Sequence, residues 1–64
     1  MLDEYDCVRL RKPLFNYTIP VGSEGVVLMV YTQPTVGYEV EFFDASGKSL
    51  GTATTDDDHI EPAA

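Results

Sequence analysis

The clearest alternation of apolar and polar positions in the chain is Tyr38-Glu39-Val40-Glu41-Phe42. Successive side chains of a strand point to opposite faces, so Tyr38, Val40 and Phe42 share one face and Glu39 and Glu41 the other. The pattern predicts a half-buried strand over 37–43 whose acidic face meets water. Phe43 falls on the same face as the glutamates, where a small domain has no evident place to bury it. Asp44-Ala45-Ser46-Gly47 reads as a turn, because Asp bonds the backbone ahead of it and Gly accepts a positive φ. The chain is then expected to return antiparallel over 48–54.

Val26-Val27-Leu28-Met29-Val30-Tyr31 does not alternate. Gly25 and Pro34 bound it too closely for a helix of normal length, which leaves a strand over 24–32 buried on both faces. Either the strand bends between two packed layers, as in small barrels, or a second chain covers one face. Upstream, Val8 and Leu10 share a face of a first strand placed at 5–11. The loop that follows contains Pro13 and Pro20, yet Leu14, Phe15, Tyr17 and Ile19 are too apolar for a fully solvated segment. Some of them are expected to close an open end of the core, and Phe15 and Tyr17 double as a candidate aromatic contact surface. Gly22 and Gly25 suggest a tight bend or bulge opening the long strand. A short 3₁₀ turn over Asp56–Asp58 would let Ile60 enter the core from a last strand at 59–61. The expected core is Val8, Leu10, Val27, Val30, Val40, Phe42, Leu50 and Ile60.

Tyr5-Asp6-x-Val8-x-Leu10, Gly22-x-x-Gly25-x-Val27, Tyr38-Glu39-Val40-Glu41-Phe42 with Gly47, and an acidic turn before Ile60-x-Pro62 together span nearly the whole chain. This pattern resembles the bacterial domain of unknown function 4926 family. The resemblance implies an all-β fold, a small five-stranded SH3-like barrel occupying residues 1–64 as one domain, similar to barrels of KOW type. It implies no activity and brings no catalytic residues. Thr54-Thr55 stands where such domains have a more apolar stretch.

Composition narrows the function. Eleven acids against four bases give a net charge of −7 in 64 residues. Such a field favours cationic partners and disfavours phosphate backbones, whose binders need clustered Lys and Arg. Arg9, Arg11 and Lys12 are the one basic cluster; as edge-strand charges they discourage sheet-to-sheet pairing. The single cysteine, Cys7, precludes a disulfide within the chain. The sequence shows no signal-peptide pattern and no apolar run near the ~20 residues of a membrane helix, so a cytoplasmic protein without membrane contact is expected.

Candidate chemistry is sparse. Asp56-Asp57-Asp58-His59 is the one dense group of ligand-type side chains, but adjacent residues do not converge on one centre as alternating calcium-loop ligands do. Cys7 and His59 would need hydrogen-bond contact and an oxyanion pocket to act as a nucleophile pair. Glu39 and Glu41 lack the deep cleft of a glycosidase pair. No catalytic residue, metal or cofactor is therefore expected. The expected function is a non-enzymatic, protein-binding module, with an antitoxin-like or immunity-like role as one form of it. Its partner-binding residues are Phe15, Tyr17, Glu39, Glu41, Phe43 and Asp44, and its partner is a protein of basic character. The competing readings are a KOW-like nucleic-acid-binding barrel, using Arg9, Arg11 and Lys12 with Phe15 and Tyr17, and a homo-oligomer that covers Val26–Tyr31 or Phe43.

Overall fold

Five strands follow one another along the chain: β1 (Cys7–Leu10), β2 (Glu24–Tyr31), β3 (Gly37–Phe43), β4 (Ser49–Thr55) and β5 (Ile60–Pro62). They come from a computed structural model that describes residues 1–63. All pairings are antiparallel, and the strands form one sheet in the order β4-β3-β2-β1-β5. The fold is all-β, as expected, and no helix long and apolar enough to cross a membrane occurs among the described residues.

Alternation on β3 sets the core. Tyr38, Val40 and Phe42 are fully buried and meet Val8 and Leu10 of β1, Val27 of β2, Ala53 of β4 and Ile60 of β5. Both outer strands thus contribute to one core, which requires the sheet to curl over its inner face. Ile19 and the half-buried Leu14 close it from the first long loop, and Leu2 from the N-terminus. Tyr38 brings its hydroxyl to the rim. That hydroxyl donates to Asp57 Oδ1 at 2.8 Å and accepts from the Leu2 N–H at 3.0 Å. Burial, offset in part by the Leu2 N–H and reinforced by the Asp57 carboxylate, pushes the phenol above its ordinary value.

Two register shifts decide which apolar residues stay outside. On β2 the ladder to β3 passes from Val27↔Val40 to Met29↔Glu39, so Leu28 is an extra residue. The bulge reverses the alternation after Val27, which lets Val27 and Val30 both face inward although they are three apart. Val30 is half-buried, while Leu28, Met29 and Tyr31 are exposed. The expectation that this strand is buried on both faces within one chain is therefore corrected, and the bulge sits at Leu28 rather than between Gly22 and Gly25. On β4 the ladder passes from Phe42↔Gly51 to Phe43↔Ser49, which makes Leu50 the extra residue. Leu50 is 37% exposed, so its expected place in the core is corrected. Ala53 and Thr55 are the buried positions of β4, small because Val40 and Tyr38 fill the space opposite them. The first strand is also shorter than expected. Tyr5 has a left-handed backbone (φ 68°), which turns the chain before β1 begins. The turn before β5 is a single one, closed by the His59 N–H on the Asp56 carbonyl at 3.2 Å.

Candidate interaction surface

The outer face of the sheet is built by register. Residues directly opposite one another form cross-strand rows. One row runs Glu61, Arg9, Glu24, Phe43, Ser49, and the next runs Cys7, Val26, Glu41, Thr52. The third is Met29, Glu39, Thr54. Apolar atoms of Val26, Met29 and Phe43 thus lie beside a line of glutamates. Met29 is 48% exposed, and Phe43 and Val26 are half-buried.

Phe43 is the pivot of this face. It lies between the turn at 20–23 and the turn at 44–47, and it lines two adjoining shallow hollows of about 460 and 400 Å³. The first is completed by Arg9, Val21, Glu24 and Leu50, the second by Cys7, Gly25, Val26 and Ala63. Residues 20–23, at the end of the first long loop, line the first hollow together with the half-buried ring, and Arg9, Glu24 and Asp44 are the charged residues around it.

Glu39 and Glu41 flank this apolar surface and are already oriented. Glu39 Oε1 accepts from Thr54 Oγ at 2.8 Å, and Glu41 Oε2 accepts from Ser49 Oγ at 2.8 Å. Each has a second oxygen for an incoming donor. Asp44 instead holds the β3–β4 turn. Its Oδ1 accepts from the Ser46 N–H, the Ser46 hydroxyl and the Lys48 N–H, all within 2.9 Å. Phe15, 85% exposed, and Tyr17, 42% exposed, line neither hollow beside Phe43. The six predicted contact residues therefore do not form one patch. Glu39, Glu41 and Phe43 come together, with Asp44 at their edge. Glu24 and Val26 join them without having stood out in the sequence. The strand alternation of β2 would have placed both on one face, but only the ladder to β3 places them beside Phe43 and Glu41.

The acidic turn spends its carboxylates separately. Asp56 Oδ1 accepts from the Asp58 and His59 N–H groups and meets His59 Nδ1 at 2.7 Å. Asp57 takes the Tyr38 hydroxyl, and Asp58 meets Lys12 Nζ at 2.9 Å and Arg11 at 3.6 Å. Arg9 reaches Glu24 at 3.4 Å and Glu61 at 3.9 Å. All three residues of the basic cluster are thus paired with the chain's own acids. Cys7 and His59 lie at opposite ends of the β1–β5 ladder: the Ala63 N–H bonds the Cys7 carbonyl, whereas the His59 carbonyl accepts from the Arg11 N–H. They are not neighbours.

These bonds carry a pH signature. The Ser46 hydroxyl beside Asp44, the His59 ring beside Asp56 and the Lys12 ammonium beside Asp58 each hold a carboxyl below the usual Asp range. A depressed folded-state pKa gives stability that is fully present above the unfolded value and is lost as pH falls through the folded one. The melting temperature should therefore hold down to about pH 4, near the unfolded Asp value, and fall progressively below it. A pH series of thermal melts checks this. Replacing Asp44, Asp56 and Asp58 with Asn should flatten the acid limb, and an unaltered limb would show that other groups govern it.

The sequence model of a domain of unknown function, DUF4926, matches residues 4–62 of the chain. No curated protein and no solved structure matches it.

Proposed function

From its place in the DUF4926 family, to which the chain belongs, no reaction is inherited, and we propose that it is a cytoplasmic, non-enzymatic module that binds a basic protein. The docking surface is the outer face of β2 and β3 around Phe43. The observation that carries this reading is the position of Phe43: an outward aromatic ring beside Val26, bordered by Glu24 and Glu41 and flanked by two hollows. An aromatic anchor inside a charged rim is the composition of an interface hot spot. Fixed carboxylates around it, in a chain of net charge −7, steer a cationic partner and set its register. Neutralising a basic protein, as antitoxins and immunity proteins do, is the form of binding this surface suits. The ion pairs of Arg9, Arg11 and Lys12 weigh against the nucleic-acid alternative, because a phosphate backbone would have to displace neighbouring acids.

The test is a paired pull-down from the source cells. The Phe43→Ala/Glu41→Lys double variant should release the protein that wild type retains. Phe15→Ala should retain it, since Phe15 lines neither hollow beside Phe43. Both variants should keep a cooperative thermal melt. A partner held equally by the double variant would place the surface elsewhere.

A further inference from the structure

The sheet ends in two unlike edges. β5 is three residues long and carries Glu61 and Pro62, devices that keep an edge from pairing with another chain. β4 is seven residues long, Ser-Leu-Gly-Thr-Ala-Thr-Thr, and is the one strand with no charged residue; it has no proline either. Its single protection is the bulge at Leu50, near its start. One side of β4 pairs with β3, and the other has no strand beside it.

We propose that β4 is a homodimerisation edge, at which two copies of this chain pair antiparallel about Thr52. Thr52 is the middle of the seven residues, so pairing about it gives the fullest overlap. The strand's flanks then specify a second copy. Lys48 precedes β4 and Asp56 follows it, so the antiparallel arrangement brings Lys48 of each copy to the end where Asp56 of the other lies. Lys48 is the one Lys or Arg side chain without an ion pair among the described residues. Asp56 uses Oδ1 for its own turn, which leaves Oδ2 for an incoming ammonium. Two chains of like net charge thus meet at a neutral strand with an opposite pair at each end. A two-fold axis normal to the sheet keeps inner faces together, and both Phe43 surfaces come to the same side. The contact is a single strand pair, smaller than the interface of a permanent dimer, so association is weak and concentration-dependent.

Sedimentation equilibrium over a concentration series tests this. Wild type should move from the mass of one chain to twice that mass as concentration rises. Thr52 is exposed and its hydroxyl makes no hydrogen bond among the described residues. It lies opposite Glu41 within the monomer, so Thr52→Lys faces an opposite charge there while Thr52→Glu faces a like one. A thermal melt of each variant therefore accompanies the sedimentation series. Thr52→Lys sets two like charges directly opposite at the axis and should raise the dimerisation midpoint roughly fivefold or more. Thr52→Glu should do the same, and an equimolar mixture of the two should dimerise again. Wild type that stays monomeric throughout overturns the proposal, leaving the edge to a different chain. So does a dimer indifferent to Thr52→Lys, or a mixture that fails to recover.

Discussion

Gly25→Ala is expected to remove a large part of the domain's stability. Gly25 is buried on β2 opposite Phe42, and a Cβ there would sit 2.8 Å from the Glu41 carbonyl oxygen, 2.8 Å from Val40 Cγ1 and 2.9 Å from Phe42 Cδ1. Val40 and Phe42 are fully buried, so neither can swing aside, and the oxygen belongs to the neighbouring strand. One methyl group must therefore part β2 from β3. Overpacking costs about 1–3 kcal/mol and occasionally more, and contact with backbone puts this site at the upper end. A domain of this length has roughly 3–10 kcal/mol in total. Gly37→Ala, whose new Cβ would come no closer than 3.4 Å to the Thr55 carbonyl, is the control and should melt near wild type. Equal melting temperatures for the two variants would remove the close approach as the reason for glycine at 25.

Phe42→Ala is expected to cost ~3–5 kcal/mol, a large part of the whole stability. The ring is fully buried in the cluster, and its Cδ1 fills the space where a side chain at Gly25 would stand. Glycine at 25 means that this neighbour has no side chain to collapse into the cavity. Chemical denaturation should show a sharply lower midpoint or no folded baseline. A midpoint near wild type would take Phe42 out of the core and with it the facing of every other β3 residue, Phe43 included.

Much of the fold is legible from β3 alone. Period-two alternation puts Tyr38, Val40 and Phe42 inside and Glu39, Glu41 and Phe43 outside, and the observed burial agrees. Leu50 escapes such a reading because a bulge is a property of two strands. Gly51 and its positive φ hint at one, but only the ladder to Phe42 and Phe43 locates it. Gly25 reads locally as part of a bend, whereas its reason is the packing of β3 against it, which leaves no trace in the neighbouring sequence. The same limit applies to the surface. Phe43 and its glutamates lie on one strand and are readable together. Phe15 and Tyr17 belong to a loop whose path depends on where Ile19 and Leu14 anchor, and the structure leads them away from Phe43's hollows.

Site-specific photo-crosslinking in the source cells tests the docking surface most directly. A photoreactive phenylalanine placed at 43 substitutes the anchor with little change of shape, and the same group at Phe15 samples the loop. An adduct between position 43 and a protein other than this chain, with none from position 15, is the predicted result. An adduct from position 15 with none from 43 would contradict it and move the partner off the sheet.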